Sequence, residues 1–411
     1  MKRYVETLFH KTGRIAATAG LALGLAAAAQ AEPVNYTITI ATDFTGPFAN
    51  VMDSWHGGQT AMINWWNDTR GKELGVNIDY KAYDMRYDAS VIAKTWPSIV
   101  SGDEPIIHLG MGSPDLVSLM NRLPQDKIPM INGTAMIGPA WTPNGWHFSA
   151  RPTYSHEFSG VFEYLRRQLP EDRPLRIGAV TTMGVAGYED QVNGVVKLTE
   201  TYPDKFEMVG IASVPRQPVS ITGEVQRIVR RKPDAILVGT TTTHAVATIH
   251  ALQELGADVP IVTSSHNGLT ELTKMLSMKD LEGSYSAFSL APYLEEGLDA
   301  RAIYEEYNTS DGPWGQTAVQ SAAQTVLAMR VLERAIEEVG AENVDGQAMY
   351  DAIMAGPFDK SQLLGLLPTI EFSKKAPFPT GELKVKALTV KDGELISVSD
   401  DWLPVPSIPK W

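Results

Sequence analysis

Two successive runs of strand–helix units predict an α/β protein built as two similar Rossmann-like lobes. The first run occupies residues 36–131, and the rhythm restarts after a separator near residues 145–175. Hydrophobic residues are 44% and charged residues 20%, a globular composition. No low-complexity linker parts the two runs, so several chain crossings are expected rather than one flexible tether.

In the first run, Tyr36–Asp43 alternates as a strand and Gly46-Pro47 breaks it. Met52–Asn67 reads as a helix and Val76–Tyr83 as a second strand. Ala89–Val100 reads as a helix that Pro97 kinks or ends early. Pro105–Gly110 is a short buried strand. A helix opens at Ser113-Pro114-Asp115, and Ile128–Ile131 is a fourth strand. The second run repeats the pattern. Its strands are Arg176–Thr181, Phe206–Ser213, Asp234–Val238 and Pro260–Thr263, and its helices Tyr188–Thr201, Ile221–Arg231 and His244–Leu255. A long helix, Thr317–Val339, and late strands, Glu382–Val390 and Glu394–Val398, must pack back onto one lobe or the other. Strands alternating with helices imply parallel sheets with crossover helices on both faces.

Ahead of the first strand lies a segment of a different kind. Lys2, Arg3, Lys11 and Arg14 are basic, Ile15–Ala31 is small and apolar, and the segment ends Ala29-Gln30-Ala31. That is the form of a secretory signal peptide over 1–31, with a periplasmic destination, and it is set aside from fold reasoning. No adjacent Arg pair precedes the apolar run, so the general secretion route is expected. Its four basic residues and one acid carry +3, so the net charge of −13 becomes −16 without it.

An acidic chain is a poor nucleic-acid binder, which needs a basic face to displace counterions. With no cysteine there is no thiolate metal cluster and no cysteine nucleophile. There is no phosphate-binding loop, no dinucleotide fingerprint, no His-Glu-x-x-His and no Gly-x-Ser-x-Gly. His244 and His250 are six apart, a poor fit to one helical face, so no metal and no cofactor are expected. Asp84 and Asp88 resemble a carboxylate pair but sit at a polar strand end, where a solvated or capping role is expected.

Ligands of such sheets bind beyond the carboxyl ends of the strands. The loops there are rich in Gly, Ser, Thr, Asn and His, which suits hydrogen bonding to a small polar group. Gly110 and Gly112 permit close backbone approach. Ser113, just before Pro114, reads as a helix cap whose neighbouring N–H groups can receive an anion. Asn132-Gly133-Thr134-Ala135 follows a buried strand in the same way, either as a turn or as a second ligand loop. Gly239 to His244 is a run of four threonines closed by a histidine. Trp55 is nearer the strand-end loop than Trp65 and Trp66, and is the candidate for a crevice wall.

An ordered set of segments then resembles one known family. It comprises the leader, Thr45-Gly46-Pro47-Phe48, Asn64-Trp-Trp-Asn67, Val76–Tyr83, Gly112-Ser113, Ile128–Asn132, Arg176–Val180 and Pro233–Gly239. The family is the leucine/isoleucine/valine-type solute-binding proteins of ABC transporters. The resemblance implies the type I periplasmic binding protein fold, with lobes joined by three hinge crossings. Lobe 1 would be 32–152 plus about 286–355, and lobe 2 would be 153–285 plus about 356–411.

For the site, the resemblance implies that Gly112 and Ser113, with Asn132, Thr134 and Ala135, hold a ligand carboxylate. A family Tyr-Gly pair falls at Ala186-Gly187, with Tyr188 able to substitute for the tyrosine. A family aromatic falls at Thr241 or Thr242, and a family acid at Ser265 or His266. The carboxylate side is retained and the ammonium partner is lost. That favours an aromatic or other organic acid, or an amide-type solute, over a branched-chain amino acid; Asp43 or Asp53 remains as a displaced negative charge for an amino acid. The function implied is capture for an importer, with a small-molecule solute and an inner-membrane permease as partners. No nucleic acid, no enzymatic activity and a monomeric state are expected. A periplasmic sensor module and a secreted hydrolase are the rival readings.

Overall fold

Short strands without exposed residues need cover on both faces, and both sheets obtain it from helices. The first sheet contains β1 (Val34–Thr42), β2 (Val76–Asp84), β3 (Ile107–Gly110), β4 (Met130–Asn132) and β5 (His147–Ser149). Its order is β2-β1-β3-β4-β5, and every neighbouring pair is parallel. The inner strands β3 and β4 are wholly buried, as a doubly covered parallel sheet requires. Edge strand β2 exposes Asp79 and Lys81, charges that discourage edge pairing.

The computed structural model describes residues 32–133, 138, 141–170, 172–182 and 184–411. The leader predicted at 1–31 and two predicted ligand contacts, Thr134 and Ala135, lie outside them. Both sheets belong to one unit, Val34–Trp411.

The second sheet contains β6 (Leu175–Thr181), β7 (Phe206–Ser213), β8 (Ala235–Val238), β9 (Ile261–Thr263), β10 (Tyr285–Phe288), β11 (Lys384–Lys391), β12 (Glu394–Ser397) and β13 (Leu403–Pro404). The path is β12-β11-β10-β9-β8-β6-β7, with β13 on β11. Strands β6 to β10 pair in parallel, whereas β11 joins β10, β12 and β13 antiparallel. The late strands thus return along the edge of the second sheet.

Several helices depart from their predicted limits for identifiable reasons. The helix Met52–Trp66 does not stop at Asn67. It runs on through a π-helical turn, Asn67–Gly71, and a last turn, Lys72–Leu74, ending at Gly75 with φ 67°. Asn67 is spent elsewhere: its side chain donates to Ile78 O at 2.9 Å and accepts from Ile78 N–H at 2.8 Å. Pro97 does not end its helix, which spans Ala89–Asp103. The proline lies on the exposed side, where water can satisfy the carbonyl it leaves without a donor. Asp88 caps that helix, accepting from Ser90 N–H at 2.7 Å and Val91 N–H at 3.1 Å, and Asp84 accepts from the Thr45 hydroxyl at 2.6 Å.

The separator at 145–175 is itself structured, holding β5 and the helix Tyr154–Gln168. Its Tyr-Ser-His-Glu start is polar in sequence, yet Tyr154 to Glu163 are all buried. The long helix Gln316–Val339 packs on Met52–Trp66 in the first core. Gly58 makes that approach possible, since a Cβ there would lie 2.1 Å from Ser321 Oγ and 2.6 Å from Ala318 O. The long helix also serves the sheet: Gln324 Nε2 donates to Gly110 O at 2.8 Å and to Ile131 O at 2.6 Å.

One buried cluster fills the first lobe and two flank the second sheet. The chain passes between them after β5, after β10 and before β11. Phe358, Leu363, Leu366, Leu367, Ile370 and Phe372 lie in the first cluster. Those leucines sit in turns without helical or strand period, and no sequence pattern assigns them to a lobe.

Candidate functional site

Parallel strands in register end together, and in the first sheet Gly110 pairs with Asn132, which pairs with Ser149. The loops beyond this row carry most of the predicted ligand contacts. Asn132 is buried, and its Nδ2 donates to Gly112 O at 3.1 Å, tying the two glycine-containing loops together. Trp55 lies over the second loop, since a Cβ on Gly133 would come within 2.3 Å of its Cη2. The indole is 4% exposed, and its N–H has no acceptor among the described residues.

Ser113 is not the cap of its helix. Gly112 holds that position, and Ser113 is the first helical residue of Ser113–Leu119. The N–H groups expected to be free are occupied: Asp115 Oδ2 accepts from Met111 N–H at 3.1 Å and from Gly112 N–H at 2.9 Å. Burial pushes the Asp115 carboxyl up to about 6 against the pull of those two bonds. Tyr87 closes the other side. A Cβ on Gly112 would lie 2.2 Å from its Cε2, and its phenol is held up by burial while Ser113 hydrogen-bonds toward it. Arg86 and Tyr87 both adopt left-handed backbone, φ 54° and 51°, which turns the tyrosine onto Gly112.

Asp43 is fully buried and accepts from Phe48 N–H at 2.7 Å, and burial raises its carboxyl. It therefore folds the loop that carries Phe48. Asp53 is exposed on the first turn of its helix. Phe48 reaches across to the second sheet. Its ring lies edge-on to Tyr87 at 4.7 Å and to His266 at 6.5 Å. Tyr154 and Tyr188 also face His266, at 5.9 Å and 6.3 Å between centroids. His266 is thus ringed by aromatics from both sheets' loops. Burial, and then the Arg151 charge, lower its imidazole to about 4, so it is neutral at pH 7.

Arg151 sits between the two sets of strand ends and is 3% exposed. Nη1 donates to Glu157 Oε1 at 2.7 Å, Ser265 Oγ at 2.9 Å and Ser289 Oγ at 3.0 Å. Nη2 makes longer contacts, 3.4 Å to both Gly133 O and Tyr154 Oη. Glu157 is capped in turn by the N–H groups and hydroxyls of Ser265 and Ser289. Gln320 of the long helix donates to Ser265 O at 3.4 Å.

Gly112, Ser113, Asn132 and Trp55 therefore gather at the first sheet, and Tyr188, Ser265 and His266 at the second. Thr241 and Thr242 behave differently. Thr241 caps Thr242–Glu254, its hydroxyl lies 2.7 Å from His244 Nδ1, and Thr242 is the first helical residue. His244 in turn pairs with Pro215 O at 2.7 Å, so the threonine run serves its own helix start. Sequence reasoning missed Phe48, Tyr87, Arg151, Tyr154 and Glu157 as neighbours of the site. Only the lone opposite charges of Arg151 and Glu157, in an otherwise uncharged stretch, signal them.

Among the described residues, no cluster of three His, Asp or Glu side chains is placed to hold a metal ion. No helix there is long and apolar enough to cross a membrane.

Comparison with known proteins agrees with this architecture. A family model described as "Periplasmic binding protein" matches residues 35–382. A crystal structure of an ABC transporter substrate-binding protein from Aeropyrum pernix superposes with a TM-score of 0.75 at 18% identity, covering 91% of this chain and 97% of that one. A branched-chain amino acid ABC transporter protein from Thermus thermophilus, with bound valine, gives 0.73 at 16% identity, covering 91% and 97%. A fatty acid ABC transporter substrate-binding protein from Thermomonospora curvata gives 0.73 at 17%, covering 91% and 93%. A search of curated proteins returned no match. The sheet orders, the three crossings and the facing strand-end loops carry the same conclusion as the family match: this chain is a member of the periplasmic binding protein family.

Proposed function

We propose that this protein is the extracytoplasmic solute-binding component of an ABC importer, and that it clamps a small carboxylate-bearing solute between its lobes without making or breaking a bond. One observation carries the reading. Loops from the strand ends of both sheets converge on a single locus, where Phe48 meets His266 and Arg151 bridges Gly133 to Ser265. A solute held there touches both lobes, so its binding energy favours the closed arrangement over an open one. Closure excludes water and strengthens each polar contact. The lobes are 32–152 with about 289–372, and 153–288 with about 373–411. The closed form then docks on a membrane permease, which receives the solute.

The test is a thermal-shift screen of amino acids, aromatic acids, aliphatic acids and amides, followed by small-angle scattering with any hit. A true solute raises Tm by linkage and shrinks the radius of gyration. No hit in any class, or a hit that leaves the radius unchanged, removes the clamp reading.

A further inference from the structure

An arginine buried between two lobes is costly unless every donor is used, and Arg151 is not fully used. Nη1 is saturated by Glu157, Ser265 and Ser289. The opposite edge is not: Nη2 has only its two 3.4 Å contacts, and Nε has no hydrogen bond among the described residues. That edge presents parallel N–H donors, the fork that matches a carboxylate bidentately. It points toward Gly133, the residue under Trp55, and toward Tyr154.

The other place for an anion is taken. At the start of Ser113–Leu119, Asp115 fills the Met111 and Gly112 N–H groups and brings its own acid, while the Tyr87 ring covers Gly112. An incoming carboxylate there would face Asp115 and displace a tyrosine. Beside Arg151, by contrast, lies the Tyr154 ring, and Tyr154, Phe48 and Tyr188 in turn surround the neighbouring His266. Flat rings pack on flat rings, and none of these rings adds a negative charge to that of Glu157, which Nη1 already pairs on the far edge.

We infer that the Nε/Nη2 edge of Arg151 is the carboxylate anchor of this site, and that the solute class is aromatic carboxylic acids whose ring lies among Phe48, Tyr154, Tyr188 and His266. This rests on the solute-capture reading and names its ligand class. Glu157 then serves as the positioning residue that fixes the fork through Nη1.

Calorimetry with benzoate, 4-hydroxybenzoate and phenylacetate, against benzamide as the uncharged analogue, tests the inference. At least one acid should bind, at least about ten-fold more tightly than benzamide, the worth of a charge-assisted pair. The Arg151→Met/Glu157→Gln double variant, which removes both charges together, should lose at least about ten-fold in acid affinity. If that variant does not fold, Arg151→Lys decides, because it keeps the charge facing Glu157 and loses the fork; the same loss is expected. Equal binding of acid and amide, acid affinity undiminished in the folded variant, or no binding of any aromatic acid overturns the inference. A thermal shift with leucine or an aliphatic solute alone overturns it and leaves the capture reading standing. Silence across the whole panel removes both.

Discussion

Arg151 Nη1 and Glu157 Oε1 lie 2.7 Å apart, with side-chain exposures of 4% and 0%. Arg151 follows the last strand of the first sheet, and Glu157 sits in the first turn of the next helix, where the dipole favours an acid. Through Ser265 and Ser289 the pair also fastens the ends of β9 and β10. Two of the three crossings are thereby tied to one ion pair at the floor of the site.

Breaking that pair from one side leaves a buried charge without compensation. Glu157→Gln should destabilise the protein by about 3–5 kcal/mol. Adding Arg151→Met to it should recover a large part of the loss. Urea melts of the single and double variants check this, and a single variant as stable as wild type would show that the pair does not hold the crossings.

Asp115 makes stability depend on pH in a defined direction. Its carboxyl stands at about 6 in the fold, above the ordinary 3.8, because it is buried. Between these values the folded chain holds more protons than the unfolded one, so this contribution is full below 3.8 and is lost as pH rises through 6. Asp115→Asn keeps an acceptor for Met111 and Gly112 and removes the titration. Relative to that variant, wild type should lose stability from pH 4 to 6 and stay level from 7 to 8 in denaturant melts.

His266 acts in the opposite sense. Burial, then Arg151, hold the imidazole at about 4, below its ordinary 6.5. Its neutral form is favoured by folding, so its contribution is present above 6.5 and is lost as pH falls toward 4. His266→Gln should flatten the acid limb of the stability curve between those values. An unchanged limb would place the acid lability elsewhere.

Gly112 and Tyr87 form a size-matched pair. Gly112→Ala puts a methyl group 2.2 Å from Tyr87 Cε2 and should cost about 1–3 kcal/mol. In Tyr87→Ala the same change should be nearly neutral, a coupling of about 1 kcal/mol or more in a double-mutant cycle. Additive losses would mean that the ring does not rest on Gly112.

Local signals carried much of this fold. The period-2 and short apolar runs located ten of the strands, because strand and helix periods are written in contiguous residues. Phe206–Ser213 matches its expected limits, and Asp88 caps its helix as its position suggests. The local reading failed where burial contradicts composition. Tyr-Ser-His-Glu-Phe-Ser-Gly at 154–160 is polar, yet it is a buried helix start, because Ser265 and Ser289, over a hundred residues away, supply its hydrogen bonds.

The site divides along the same line. Gly112, Asn132, Trp55, Tyr188 and His266 were visible as strand-end or first-turn residues, a consequence of chain order in a parallel sheet. That Asp115 and Tyr87 close the helix start at Ser113, and that Thr241 turns to His244, depended on neighbours no spacing rule names. The amino-acid order alone determined two α/β lobes with a polar seam at their strand ends. Which charge survives in that seam was decided only in three dimensions, because the pairing of Arg151 with Glu157, Ser265 and Ser289 needs three distant segments folded to within hydrogen-bond reach.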